Sequence, residues 1–198
     1  MSWQEESKWE SDWWGNCLRT FGEEQKQLIY APLMGLDVQY DNKGPFIDAQ
    51  NKLIVDMGGG PISLLLKCIN LKQGVVIDPC KYPRWTAQRY TEANIMVNIG
   101  KGEEMDAEEF IQIFGVADEV WCYNVLQHVE DPALIVKNMQ GMAKIIRVFD
   151  WLEISGKGHP QHLTQEKMDE WYKGEGKVQI IDGGKAYSGV FKGDHYGK

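Results

Sequence analysis

Leu53-Ile54-Val55-Asp56-Met57-Gly58-Gly59-Gly60-Pro61 is the stretch on which the fold turns: an apolar run ends in an acid, three consecutive glycines follow, and a proline closes it. A short continuous apolar run, as opposed to an alternating one, is the pattern of a strand covered on both faces of a parallel sheet. A ligand lying across the carboxyl end of such a strand needs backbone that can approach without a Cβ in the way. Glycine provides this, and it also accepts the positive φ values of a tight turn. Asp56, Gly58, Gly59 and Gly60 are therefore candidate binding residues, with Gly58 and Gly60 as the expected contact points.

Outward from this stretch, apolar runs rich in Val and Ile alternate with longer amphipathic segments. Strands are expected at Leu53 to Asp56, Gly74 to Asp78, Ile95 to Ile99, Glu119 to Tyr123 and Ile145 to Phe149, each covered on both faces. Ser63 to Asn70 reads as a helix opening from the glycine turn with its N-terminus toward a ligand. Asp131-Pro132 opens another, with Asp capping the orphan amides and Pro at the first helical position. Thr164 is placed to cap a helix running to Tyr172, and Val178 to Ile181 with Tyr187 to Phe191 form a hairpin about Asp182-Gly183-Gly184-Lys185. The pattern gives an α/β class: a doubly wound, mostly parallel sheet with a C-terminal antiparallel hairpin and helices on both faces. Residues 51–198 form this core and residues 1–50 a helical cap, one domain overall. Within the cap Glu23 to Tyr30 reads as helix, and Trp9, Trp13 and Trp14 either close over a ligand or pack an N-terminal helix on the core.

With 198 residues, 43% of them hydrophobic and 25% charged, the chain suits one globular domain. A formal charge of -8 disfavours nucleic-acid partners, whose non-specific affinity comes from Lys and Arg neutralising phosphates. No apolar run reaches bilayer length, and the acidic, Trp-rich start lacks the pattern of a secretory leader, so secretion is not expected. The four cysteines include no C-x-x-C pair, which suggests neither a zinc site nor a disulfide framework and fits the reducing cytoplasm. No metal is expected; the oligomeric state stays open.

Further candidates follow from position. Asp78, at the end of the Val75-Val76-Ile77 run and followed by Pro79, can accept hydrogen bonds from both hydroxyls of a ribose, or can be an ordinary turn aspartate. Asn124 ends the fourth run as a binding residue or a polar turn residue. His128 and His162 are candidate bases because histidine titrates near neutral pH. Their structural alternatives are a loop-organising histidine and a residue of the loop leading into the Thr164 helix. The Lys81-Tyr82-Pro83-Arg84-Trp85 loop beyond Asp78 either covers a bound ribose or adenine or is a surface turn.

In ordered combination these segments resemble the class I S-adenosylmethionine-dependent methyltransferases, over roughly residues 50 to 195. Their first motif is an apolar strand followed by D-x-G-x-G-x-G, matched by Asp56, Gly58 and Gly60, with Ile62 in place of the last glycine. Asp78 matches the ribose-binding acid, Gly102, Glu103 and Glu104 the loop beside the adenine, and Asn124-Val125-Leu126-Gln127-His128 the N-V-L-x-H run of enzymes acting on small molecules. The resemblance implies S-adenosylmethionine as cofactor, S-adenosylhomocysteine (SAH) as product and a small-molecule acceptor. It also places Asn124 and Val125 beside the methionine part of the cofactor. The [DNS]-P-P-[YFW] signature of many nucleic-acid and protein-glutamine methyltransferases is missing at the fourth strand. Two alternatives stay open: a protein that binds the cofactor without catalysis, and a nicotinamide-dependent oxidoreductase, which calls for a G-x-G-x-x-G spacing that Gly58 to Ser63 lacks.

Overall fold

The structure, a computed structural model, describes residues 20–154, 156 and 158–198 together with Glu5, Lys8, Asp12 and Trp14; Trp3, Trp9, Trp13 and Cys17 lie outside the described residues. Among these, five α-helices and ten strands follow in the order α1 (Thr20–Leu33), β1 (Val38–Asp41), β2 (Gly44–Asp48), β3 (Leu53–Met57), β4 (Cys68–Ile69), β5 (Gln73–Asp78), α2 (Arg84–Glu92), β6 (Ile95–Ile99), α3 (Ala107–Phe114), β7 (Ala117–Tyr123), α4 (Pro132–Met142), β8 (Ala143–Leu152), α5 (Gln165–Tyr172), β9 (Lys177–Ile181) and β10 (Gly184–Lys192). The main sheet has seven strands in the order β6-β5-β3-β7-β8-β10-β9. β6, β5, β3, β7 and β8 are parallel, while β10 runs antiparallel to both β8 and β9. The expected doubly wound sheet with its closing hairpin is what the chain forms.

β3 is buried throughout, as its unbroken apolar run requires. Successive side chains point to opposite faces, and two hydrophobic clusters result. Val55 and Met57 join Val75, Ile77, Phe110 and Met139 on one face, and Ile54 joins Val76, Tyr30, Met34 and Phe149 on the other. α4 starts where Asp131 and Pro132 predict, with the Asp131 carboxylate accepting the Leu134 amide at 3.0 Å. α5 is capped by Thr164. Asp182 and Gly183, with φ of 49° and 82°, make the tight turn between β9 and β10.

Three expectations need correction. The helix read over Ser63 to Asn70 is a single 3-10 turn, Leu64–Lys67, followed by the short strand β4. Cys68 and Ile69 are drawn into parallel pairing with Ile47 and Asp48 of β2, which leaves room for one turn only. Secondly, residues 1–50 are not helical throughout: Val38–Asp41 and Gly44–Asp48 pair antiparallel and, with β4, form a second, three-stranded sheet. Their β-prone Val, Tyr, Phe and Ile flank a turn in which Asp41 Oδ1 accepts the Lys43 amide at 2.7 Å. Finally, β6 is not covered on both faces. It is the sheet edge, and Met96, Val97 and Ile99 are exposed.

Candidate functional site

β3 and β7 lie side by side although they are not consecutive in the chain, so the sheet changes direction there, and ligand clefts form at the carboxyl ends of strands on either side of such a switch. A cleft of about 1040 Å³, open to solvent, occupies that place. Gly58, Gly59 and Gly60 form part of its wall, Asp78 and Pro79 come from the end of β5, Gly102 and Glu103 from the exit of β6, and Asn124, Val125 and His128 from the exit of β7.

The glycine turn has a separate reason at each position. Gly58 sits at φ +76°, and a Cβ there would come within 2.5 Å of Val125 Cγ2. A Cβ on Gly59 would meet the Asp56 carboxylate at 2.8 Å. Gly60, at φ +62°, has no clash to avoid: a Cβ would be in ordinary van der Waals contact with Tyr82 Oη at 3.8 Å and Trp14 Cζ2 at 3.9 Å. The bare backbone of Gly60 is thus a cradle that any side chain would fill, which is the fit a flat ligand across the strand end needs. The Gly60 amide donates to Asp78 Oδ2 at 3.0 Å, and the Gly60 carbonyl accepts the Tyr90 hydroxyl at 2.8 Å. Turn and acid are therefore one unit, as the sequence reading requires.

Asp56 corrects that reading. Its side chain is fully buried and is not part of the cleft wall. It faces the side of the sheet that carries Ile54, where one oxygen accepts the hydroxyls of both Ser63 and Tyr123, and it supports the glycine turn from beneath. Burial pushes its carboxyl up to about 7, against the lowering effect of those hydroxyls and with the nearby Asp78 adding to the rise. Tyr123 also accepts the Leu64 amide at 2.9 Å, tying the turn after the glycines to β7.

The exit of β7 is held by polar contacts. Asn124 adopts φ +59°, a left-handed conformation uncommon outside glycine, and its amide donates to Phe149 O at 2.8 Å. The fully buried Asp150 accepts the Val125 and Leu126 amides, each at 3.1 Å, and burial raises its carboxyl well above the ordinary range. Gln127 Nε2 donates to Asn124 Oδ1 at 2.9 Å and lies 3.2 Å from His128 Nε2; His128 Nδ1 contacts the Gly158 carbonyl. A carbonyl only accepts, so Nδ1 carries the proton and Nε2 presents its lone pair to Gln127. The His128 ring also packs against that of His159 at 4.7 Å.

His162 is the second correction: it is exposed and does not line the cleft, and its carbonyl accepts Lys167 Nζ at 3.0 Å at the start of α5. The segment after β8 does reach the site, but with Gly158. Glu103 lines the cleft while its Oε1 accepts the Glu130 and Asp131 amides at 3.0 and 3.3 Å, so part of its capacity is spent on the neighbouring loop. Of the three tryptophans considered as a cover, Trp14 lines the cleft and the others lie outside the described residues.

Glu23, Gln27 and Tyr30, on one face of α1, complete the wall. The sequence reading missed them as site residues, although their i, i+4, i+7 spacing on a helix was visible. Tyr30 stacks on Phe149 at 4.0 Å, and Gln27 Nε2 donates to Ile62 O at 2.7 Å, fixing the helix over the glycine turn. Burial pushes the Tyr30 phenol up to about 12.

No protein-family model and no curated protein sequence matches the chain. Solved structures do. A chain from the complex of the Haloferax volcanii Trm112 methyltransferase activator with a proposed methyltransferase superposes with a TM-score of 0.65 at 14% identity, covering 94% of this chain and 98% of that one. N-methyltransferase NodS from Bradyrhizobium japonicum WM9 gives 0.55 at 13% identity, covering 90% and 98%. The N-terminal domain of EvdMO1, crystallised in the presence of SAH and D-fucose, gives 0.53 at 13% identity, covering 72% and 76%. At such identities these likenesses establish the fold, which is that of the class I methyltransferases.

Proposed function

On that fold, we propose that this chain binds S-adenosylmethionine in the cleft at Gly60 and Asp78 and transfers its methyl group to an oxygen or nitrogen of a small molecule, leaving SAH. The observation that carries the reading is the 3.0 Å hydrogen bond joining the Gly60 amide to the Asp78 carboxylate at the mouth of the sheet's switch point. Asp78 would receive the ribose hydroxyls with Pro79 beside it, Gly58, Gly59 and Gly60 would lie against the cofactor, Gly102 and Glu103 would border the adenine, and Asn124 and Val125 the amino-acid end. Support for this cofactor and for a small acceptor comes from the neighbours: one was crystallised in the presence of SAH and D-fucose, and another is an N-methyltransferase.

When bound, the cofactor supplies an electrophilic methyl carbon for in-line displacement; the protein's part is alignment and exclusion of water. Glu23, Gln27, Tyr30, Trp14 and His128 form the wall left for the acceptor. A hydroxyl acceptor must give up a proton, and His128 is the histidine placed to take it through Nε2, once the Gln127 amide at 3.2 Å gives way. An uncharged amine acceptor needs no such base. The reducing cytoplasm belongs to the same proposal and rests on the cysteine spacing.

Calorimetric titration tests the site. S-adenosylmethionine and SAH are expected to bind and NAD is not, and Asp78→Ala should weaken both sulfur ligands by at least about tenfold through loss of a charged hydrogen-bond acceptor. Equal binding by wild type and Asp78→Ala removes the assignment. A second reading, a methyltransferase that turns over only with a protein partner, is favoured by the activator bound in the Haloferax complex and by the exposed apolar edge of β6. It predicts that the isolated chain binds SAH but stays inactive on acceptors that it methylates when the partner is present.

A further inference from the structure

The carboxylate on which the cofactor reading turns is already heavily engaged. Asp78 Oδ2 accepts the Gly60 amide at 3.0 Å, while Oδ1 accepts the Cys80 amide at 2.9 Å and the Tyr82 hydroxyl at 3.0 Å. A carboxylate offers about four lone-pair sites. A ribose brings two more hydroxyl donors, so with three donors already present among the described residues at least one donor has to leave before both can be met.

The three differ in how readily they can move. The Gly60 amide is fixed in a turn at φ +62°, whose carbonyl is held by Tyr90 at 2.8 Å. The Cys80 amide lies two residues from Asp78 in the same chain, an Asx-type contact set by local backbone. Tyr82 reaches Asp78 by its side chain alone, from the loop between β5 and α2. That side chain lines the cleft, with its hydroxyl oxygen on the bare side of Gly60. Rotation about its side-chain bonds releases the carboxylate without disturbing the sheet or the turn.

We propose that Tyr82 is a latch on the ribose-binding acid: its hydroxyl occupies the acceptor site that a ribose hydroxyl takes, and cofactor binding swings it out. The inference rests on Asp78 being the ribose acid, as proposed above. It also gives a use to the Lys81 to Trp85 loop. These hydrogen bonds keep a nearly buried anion, 6% exposed, satisfied while the cleft is open to solvent.

The test is Tyr82→Phe, which removes the hydroxyl and keeps the ring. Calorimetric titration of wild type and Tyr82→Phe with SAH should show the variant binding about 3- to 10-fold more tightly, the range of one net hydrogen bond no longer displaced. Adenosine should show the same gain, and 2′,3′-dideoxyadenosine, which brings no hydroxyls to the acid, should show none. Equal or weaker binding of SAH by the variant overturns the latch and leaves the cofactor assignment standing. A gain shared by the dideoxy compound also overturns it, by assigning the effect to ring packing. If SAH binds neither protein the cofactor reading fails and the latch fails with it, a result told apart from the others by the wild-type titration alone.

Discussion

Asp56 holds two hydroxyl donors on one oxygen, while its other oxygen is buried with no hydrogen-bond partner. With burial raising its carboxyl from 3.8 to about 7, the folded protein keeps a proton there that the unfolded chain has already released. Between those two values the unfolded state binds fewer protons, so stability falls as pH rises from about 4 to about 7 and levels off above. Asp56→Asn mimics the protonated form, with its carbonyl toward Ser63 and Tyr123. Denaturant midpoints for the two proteins should diverge in the variant's favour between about pH 4 and about pH 7 and stay apart above that; parallel profiles would count against a protonated Asp56. At this scale the sequence was informative where chemistry and chain position coincide. That Gly58, Gly60 and Asp78 come together at one cleft was legible because the glycine turn and the acid stand at the carboxyl ends of neighbouring parallel strands. Asp56 was misplaced as a contact because the alternation that sends it to the far side of β3 is hidden in a strand buried on both faces. His162 was misplaced because nothing in a loop's composition says which of its residues turns inward, and Gly158 was the one that did.

At the scale of elements, caps were the dependable signals. Asp131 accepts the Leu134 amide at 3.0 Å ahead of Pro132, and α4 packs Ile135, Val136, Met139 and Met142 into the core. Asp131→Ala should cost about 1 kcal/mol, read as a lowered urea midpoint at unchanged slope, with Asp131→Asn recovering most of it. A change in slope instead would mean that more than the cap was lost. Tertiary pairing defeated the local reading elsewhere. The apolar spacing of Leu64 to Ile69 suits a helix, but pairing with β2 draws Cys68 and Ile69 into a strand, and β2 itself lies in the segment whose pattern reads as a helical cap. β6 was expected to be covered because its residues are as apolar as those of β5, and composition does not tell an edge from a centre.

At the scale of the whole molecule, α1 and the sheet are joined through one buried ion cluster. Glu119, with its side chain 2% exposed, accepts Arg147 Nε at 2.6 Å, Lys52 Nζ at 2.9 Å and Trp121 Nε1 at 2.8 Å. Arg147 Nη1 also reaches the carbonyls of Met34 and Gly35 just beyond α1, each at 3.0 Å. Burial alone would raise the Glu119 carboxyl, but these donors hold it below its ordinary value. Arg147→Ala removes one partner of a buried charge and frees two carbonyls, so a loss of about 3–5 kcal/mol is expected. For a chain of this size that is a fall in Tm of roughly 10 °C. A Tm shift under about 3 °C would show the cluster to be dispensable. The shared face of Glu23, Gln27 and Tyr30 was legible in the sequence, but its place on the cleft wall was not, because that depends on contacts between distant residues such as Tyr30 and Phe149.

The short 3-10 turn after the glycines bears on ligand choice. A long α-helix starting there would aim its aligned peptide dipoles, a partial positive pole, at whatever lies over Gly60, an arrangement suited to pyrophosphate. Leu64–Lys67 is too brief to build such a pole, and the amide nearest the acid, that of Gly60, is already spent on Asp78. The floor of the cleft therefore offers little to a dianion and does not repel a sulfonium, so inorganic phosphate in the buffer is expected to be a poor competitor at this site.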